Sequence, residues 1–400
     1  MVKLGIIADD LTGAMDTGVQ FAKGGLHTVV MLAEGELPPA EMAVVSTDSR
    51  DLPAEESRRK TREAARRFGD RAVYKKIDST LRGNLGPELE GLLEGLGLER
   101  ALVAPAFPSN GRTTVGGYHL VHGTPLAESS FAGDPLWPAR ESHLPTLLAK
   151  QTSLSVGYLP LSTVEQGAGA VARALRAERA DIVAADAETP AHLRTLALAV
   201  AQLEGWLPCG SAGLAEEWPR ALGLERPRAL FRWPEDPRPA LVVAGSRHQV
   251  TAEQLKRASE EGRLVLVPLG ARGEGDAEAV DRAIALLNQG RSVAITTAFS
   301  RFQQGQGVAT ALGLAEAAGA VLSRSPMAGL FMTGGDIARA LCSILGAGAI
   351  RALGEVQPGV PAGLLMGGAH DGLRVVTKAG GFGDERAIIE SIDCLRGRQT

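Results

Sequence analysis

Leu4-Gly5-Ile6-Ile7-Ala8-Asp9-Asp10-Leu11-Thr12-Gly13-Ala14-Met15-Asp16-Thr17-Gly18 reads as a buried strand over Leu4–Ala8, a pair of carboxylates, and a helix from about Thr12 to Lys23 that Gly24-Gly25 stops. Strand followed at once by helix is the repeating unit of α/β folds. The pattern recurs: strands are predicted at Thr28–Leu32 and Ala43–Thr47, a charged amphipathic helix at Pro53–Phe68, a strand at Arg71–Ile77, a helix at Pro87–Glu94 and a strand at Ala101–Pro105. Residues 107–150, rich in Gly, Pro, Ser and His, show no period, and a stretch that long is usually functional or mobile. Alternation resumes with strand Leu154–Leu159, a helix over 163–178 with Ser162 and Glu165 as its capping box, strand Asp181–Ala185 and a helix over 190–204.

Residues 223–239 hold four prolines, and 226–239 is expected to be a linker. Beyond it lie strand Ala240–Ala244, a helix opened by Thr251 and Gln254, and strands near Leu264–Val267, Val293–Thr297, Gly329–Met332 and Arg374–Thr377. A chain of 400 residues exceeds one ordinary core. The expectation is an α/β protein of two domains, 1–225 and 240–400, each with a mainly parallel sheet flanked by helices.

Basic and acidic residues number 42 and 46, a net charge of -4. The densest basic run, Arg58-Arg59-Lys60-Thr61-Arg62, is interleaved with Glu55, Glu56 and Glu63 and reads as a solvated helix face. Nucleic acid and membrane surfaces are therefore not expected partners. Cys209, Cys342 and Cys394 are too dispersed for a disulfide framework or zinc site. The opening MVKLGIIADD has acids where a signal peptide would stay apolar. No apolar run reaches the roughly 18 residues of a membrane span, so a cytoplasmic protein is expected. GxxxxGK[ST], HExxH and GxSxG are absent. The nearest dinucleotide pattern, Gly167–Ala172, falls inside a predicted helix.

In open α/β sheets ligands bind beyond the carboxyl ends of the strands, so the loops after strands carry the chemistry. Asp9 and Asp10 stand at the first such end. One Asp suffices to cap the helix, leaving the other for a substrate hydroxyl, a hydrated metal or a proton. Thr47-Asp48-Ser49-Arg50 follows another strand. Lys75-Lys76-Ile77-Asp78-Ser79-Thr80-Leu81-Arg82-Gly83-Asn84 follows a third and packs a carboxylate, two hydroxyls and a guanidinium into one turn. That set suits a polyhydroxy acid: Asp and hydroxyls for its OH groups, Arg for its carboxylate. The loop at 104–112, with Asn110 and Arg112, leads to Gly116-Gly117-Tyr118-His119 and residues 124–129, which are candidates to close over a substrate. Gly210-Ser211-Ala212-Gly213 is expected to be a tight turn opening a helix, where backbone N–H groups could face an anion.

The second half supplies three glycine turns after strands: Gly245-Ser246-Arg247, Thr333-Gly334-Gly335-Asp336, and Lys378-Ala379-Gly380-Gly381-Phe382-Gly383-Asp384, with Asp384 placed to cap the last helix. Glycine at a strand-to-helix turn lets backbone amides reach phosphate oxygens, so this half is expected to bind a nucleotide.

The ordered motifs ADDLTGA, IDSTLRGN, AFPSNGRTT, GSAGLAE, AGSR, TGGDIA, GVPAG and KAGGFGD resemble those of the four-carbon acid sugar kinases along nearly the whole chain. The resemblance implies an N-terminal acid-sugar domain, a C-terminal nucleotide domain, and phosphorylation of the terminal hydroxyl of threonate, erythronate or 3-oxo-tetronate by ATP with Mg²⁺. By matching position, Asp9, Asp10, Arg50, Asp78, Ser79, Thr80, Leu81, Arg82, Gly83 and Asn84 would hold the acid. Asp10 or Asp78 would accept or orient the attacking hydroxyl, and Arg82 would fix the carboxylate. Ser246, Gly334, Gly335, Asp336, Ile337, Gly380, Gly381, Phe382 and Gly383 would hold ATP, although Ile337 stands where a hydroxyl residue is common. The metal ligands stay unassigned, and a homo-oligomer is compatible with the family. The Thr-Gly-Gly-Asp and Lys-Ala-Gly-Gly forms are closer to the threonate and erythronate members than to 3-oxo-tetronate kinases. A sugar-acid oxidoreductase and a non-catalytic sugar-acid sensor are the competing classes. The first lacks a strand–GxGxxG–helix unit, and the second leaves the glycine turns unexplained.

Overall fold

β1 (Leu4–Ala8) is buried along its whole length, as a strand with helices on both faces must be. It begins a computed structural model that describes every residue except 1–2, 33–34, 135–136, 227–230, 247, 271–276, 300–306, 399–400 and the side chain of 308. α1 (Leu11–Lys23), β2 (Thr28–Met31), β3 (Met42–Ser46), α2 (Ala54–Arg66), β4 (Ala72–Lys76), α3 (Leu85–Leu96) and β5 (Arg100–Ala104) follow the predicted alternation. The aperiodic stretch then forms a small antiparallel sheet, β6 (Arg112–Val115), β7 (Tyr118–Val121) and β8 (Thr124–Pro125). α4 (Leu144–Gln151), β9 (Val156–Leu159), α5 (Leu161–Val164), α6 (Ala168–Ala177), β10 (Ile182–Ala185), α7 (Pro190–Val200), β11 (Trp206–Gly210) and α8 (Ala212–Ala221) complete the first half.

The second half runs β12 (Ala240–Ala244), α9 (Gln249–Glu260), β13 (Val265–Pro268), α10 (Ala277–Asn288), β14 (Val293–Thr296), α11 (Gly307–Leu322), β15 (Gly329–Thr333), α12 (Gly335–Ile344), β16 (Ala349–Glu355), β17 (Pro361–Met366), β18 (Arg374–Lys378) and α13 (Ala387–Leu395). Contacts divide the chain into two units: residues 1–28 with 36–228, and 29–35 with 229–400. The expected first domain is thus interrupted, because residues 29–35 group with the second unit.

In the first unit the strand order is β3-β1-β4-β11-β5-β10-β9, and all pairings are parallel. The chain leaves β1 toward β3 on one side and reaches β4 on the other, so the carboxyl end of β1 is a topological switch point. In the second unit β13-β14-β12-β15-β18 are parallel, whereas β17 and β16 continue antiparallel. β12 is the switch strand there. Val242, Phe331, Val376, Ile388 and Ile392 anchor the second unit's core, with Phe231 and Trp233 packed against it. Those two residues belong to the expected linker, so its later part is structure rather than tether.

Other expectations also change. The helix predicted over 163–178 is two helices, broken at Gly167 with φ +92°, and Ser162 caps neither of them. α9 starts at Gln249 with His248 as cap, ahead of Thr251. Asp384 accepts a hydrogen bond from Arg386 N at 2.8 Å, one turn before α13, instead of capping it. β11 was hidden by Pro208 and Gly210, residues that argue against a central strand. All three cysteines are buried and free, and among the described residues no helix is long and apolar enough to cross a membrane.

Gly91 and Gly95 bring α3 against α2 at backbone distance. A Cβ on Gly91 would stand 2.5 Å from Thr61 Oγ1, and one on Gly95 2.7 Å from Ala65 Cβ. Overpacking of this kind costs about 1–3 kcal/mol. Gly91→Ala should lower the urea midpoint of the full chain accordingly; an unchanged midpoint would show that the two helices slide apart freely.

Candidate active site

Asp10 is the N-cap of α1. Its Oδ1 accepts from Gly13 N at 2.8 Å and its Oδ2 from Thr12 Oγ1 at 2.7 Å. The capping carboxylate is therefore the second of the pair, and Asp9, 3% exposed, is turned inward. Arg50, from the loop after β3, joins both: Nε donates to Asp9 Oδ2 at 2.6 Å and Nη1 to Asp10 Oδ2 at 2.8 Å. Its Nη2 lies 3.8 Å from Asp78 Oδ1, after β4. Three neighbouring strand ends thus place three carboxylates around one guanidinium. Asp9 Oδ1 is buried with no hydrogen-bond partner. Burial alone would raise the Asp9 carboxyl, but Arg50, with Lys75 and Lys76 behind it, outweighs this and holds it below the usual range.

The 78–84 loop is folded around Asp78. Asp78 Oδ2 accepts from Thr80 Oγ1 at 2.5 Å and Arg82 Nε at 2.8 Å, and Oδ1 from Arg82 Nη2 at 2.9 Å. Burial opposes ionisation here too, yet Arg82 and Arg50 pull the Asp78 carboxyl well below its ordinary range. Leu81 sits at φ +60° and Asp48, in the neighbouring loop, at φ +45°; such backbone costs of order 1–3 kcal/mol each and persists only where its surroundings over-determine it. Gly83, at φ +95°, lets the turn pass Arg50: a Cβ would meet Arg50 Cγ at 3.2 Å. Ser79 Oγ is buried without a partner.

Asn84, expected to hold the acid, also braces the neighbouring loop. Its Nδ2 donates to Leu52 O at 2.8 Å and to Ser49 O at 3.1 Å, pinning the Arg50 loop. Sequence reasoning missed the buried pair beneath that loop. Lys75 Nζ is 2.5 Å from Glu88 Oε2, with the side chains 0% and 2% exposed. Glu88 Oε1 accepts from Ser49 Oγ at 2.5 Å and Ser57 Oγ at 3.1 Å. The usable signal was a lysine inside a strand that is buried from its second residue on, which requires a partner. His119, in a segment expected to close over a substrate, belongs to the small antiparallel sheet. Its Nε2 donates to Ser79 O at 2.7 Å, so Nδ1 is left to accept from Thr114 Oγ1 at 3.0 Å. Burial lowers it to about 4.

In the second unit the three glycine turns meet, because β12, β15 and β18 are neighbours. A Cβ on Gly380 would collide with Ser246 Oγ, and one on Gly245 with Ile337. Ile337 is 5% exposed and its side chain is spent on this packing, leaving only its backbone to face a ligand. Phe382 packs on Gly359. Gln254 Nε2 donates to Phe382 O at 3.2 Å, Gly383 O at 3.2 Å and Asp384 O at 2.6 Å. Beneath the turn, Lys378 Nζ donates to Thr251 Oγ1 at 3.1 Å and to Ala379 O and Gly380 O at 3.0 Å, and burial pushes it down to about 7. The Gly380 and Gly381 N–H groups donate to nothing among the described residues, which fits an oxygen-rich anion. Gly334, at φ +106°, opens α12, whose first turn carries exposed Asp336. Arg247 lies outside the described residues. Among the described residues no three His, Cys, Asp or Glu side chains gather as a metal site.

Residues 4–218 match the family of sugar-binding N-terminal domains, and residues 241–388 that of nucleotide-binding C-terminal domains. The chain is 35% identical to a D-threonate kinase of Salmonella typhimurium, covering 98% of both chains. It is 35% identical to a D-erythronate kinase of Heliobacterium modesticaldum, covering 98% of this chain and 96% of the relative. A solved structure from Salmonella typhimurium, described as a putative tRNA synthase, superposes with a TM-score of 0.80 at 25% identity over 98% of this chain and 99% of that one.

Two outcomes follow from the buried groups. Lys75→Met, which strands Glu88, should destabilise the chain by about 3–5 kcal/mol in urea unfolding, and Lys75→Met with Glu88→Met should recover most of that loss. A double variant as unstable as the single one contradicts the pairing. His119 binds its proton less readily folded than unfolded, so its contribution to stability is full above pH 6.5 and lost as pH falls toward about 4. The wild-type minus His119→Gln stability difference should be flat above pH 6.5 and fall below it, by on the order of 3 kcal/mol in all.

Proposed function

The chain belongs to the four-carbon acid sugar kinase family, and from that premise we propose that it transfers the γ-phosphoryl group of ATP to the terminal hydroxyl of an acid sugar of the D-threonate or D-erythronate kind. The observation that carries this reading is Asp9 Oδ1, a buried carboxylate oxygen without a protein donor, at a switch point lined by Asp10, Arg50 and Asp78. A substrate hydroxyl is the donor it suits.

Phosphoryl transfer passes through a loose transition state, so catalysis is mainly positioning and charge stabilisation. Carboxylates held below their usual range are weak bases, which makes Asp9 and Asp78 acceptors that orient hydroxyls. Asp10, occupied by its cap, Thr12 and Arg50, is the poorer candidate for that role. Arg50 stands between Asp9 and Asp78 and favours the ionised form of both. In the second unit the open N–H groups of Gly380 and Gly381 and the start of α12 would hold phosphate oxygens, with Ser246 against them and Lys378 setting the loop's shape. Mg²⁺ arriving with ATP neutralises phosphate charge, and it commonly binds through phosphates and water with one or two carboxylates.

A coupled ADP-release screen over D- and L-threonate, D- and L-erythronate and 3-oxo-tetronate should show turnover with D-threonate or D-erythronate. ADP release independent of acid, or an NAD(P) absorbance change on adding acid, would overturn the reading. Asp9→Asn should lower kcat/KM by about one to two orders of magnitude, the worth of a hydrogen bond to a charged acceptor, while Asp10→Asn, which keeps a competent cap, should lose far less.

A further inference from the structure

Lys76 ends β4 and is 3% exposed. Its register partners are Ala8 of β1 and Gly210 of β11. Strand side chains alternate in direction, so Lys75 reaches α3 and Glu88 while Lys76 turns to the opposite face, against the first turn of α1. A Cβ on Gly13 would lie 3.0 Å from Lys76 Nζ and 2.6 Å from Asp10 Oδ1. Each of the other two strand-end lysines is paired: Lys75 with Glu88 at 2.5 Å, and Lys378 with three acceptors. Lys76 makes no ion pair and no side-chain hydrogen bond among the described residues. Its charge is felt by Asp9 and Asp78, whose ionised forms it favours, but no described side chain pairs with its ammonium directly, and a buried cation gains from a direct partner.

The nearby carboxylates have closer partners, Asp9 Oδ2 and Asp10 in Arg50 and Asp78 in Arg82, and Asp9 and Asp78 act on Lys76 only at longer range. Arg82, assigned to the substrate carboxylate by its motif, has Nε and Nη2 on Asp78. α1, a helix of 13 residues, adds a favourable field. Its Leu11 and Thr12 N–H groups donate to nothing among the described residues, since Asp10 takes only that of Gly13.

We propose that Lys76 and the first turn of α1 form the subsite for the acid sugar's carboxylate, leaving Asp9 and Asp78 to its hydroxyls. This rests on the kinase reading for its substrate class. The test uses full-length wild type, Lys76→Met and, as a second neutral replacement, Lys76→Gln, each checked for an unchanged circular dichroism spectrum. KM for D-threonate and D-erythronate should rise at least tenfold in the folded variant, with the KM for ATP within twofold. The kcat/KM preference for acid over the neutral alcohols threitol and erythritol should fall at least tenfold. Equal losses on acid and alcohol, or a change confined to kcat or to the KM for ATP, overturn the proposal, as does failure of both variants to fold. Thermal shift with D-threonate and D-erythronate, without nucleotide, separates the two readings. A shift in wild type that the variants lose supports the subsite even if no acid drives ADP release, which would sink only the kinase reading. No shift in wild type overturns the subsite even if turnover is found.

Discussion

Asp9 and Asp78 stay ionised in a buried site only because cations stand beside them, and Arg50 is the cation that reaches both and Asp10 as well. Its guanidinium is planar and permanently charged, so it can donate to Asp9 and Asp10 at once and still face Asp78. Much of the surrounding structure keeps it in place. Asn84 holds the carbonyls of its loop, Ser49 ties that loop to Glu88, and Lys75 holds Glu88 from inside the sheet. The parallel sheet makes this possible by ending β1, β3 and β4 at one edge.

The same surroundings hold two backbones in the left-handed region, at Asp48 and Leu81. Leu81 is buried, and its turn is fixed from both sides, by Asp78 through Thr80 and Arg82 and by His119 on Ser79. The small antiparallel sheet therefore works as a brace as well as a loop that lies near the site. In the second unit the equivalent economy is glycine: Gly245, Gly334 and Gly380 let three turns approach where any side chain would collide or strain.

Much of this was legible in the sequence because it is local. A strand that runs into acids, or into glycine, announces its carboxyl end, and so the positions of Asp9, Asp10, Arg50, the 78–84 segment and the three glycine turns just beyond strands were all legible. Which aspartate caps α1 was not legible, since that depends on backbone direction at one residue. Lys75 and Lys76 were visible as a pair, but only the period of two and the burial of both faces reveal that they serve different sides of the sheet. β11 was lost to its proline, and β16 and β17 to glycines within them. The grouping of residues 29–35 with the second unit rests on pairing across most of the chain, which no local pattern encodes.

That grouping bears on how the protein is made. β2 neighbours β16, and Leu32 N donates to Gly348 O at 3.0 Å. At a ribosome adding about 5–20 residues per second, β2 emerges early and waits roughly 300 residues for that neighbour, some tens of seconds. During that time Thr28-Val29-Val30-Met31 is an apolar strand with an open edge. The second unit therefore cannot be completed from its own contiguous stretch of nascent chain, and the first must fold around a loop that carries another unit's strand.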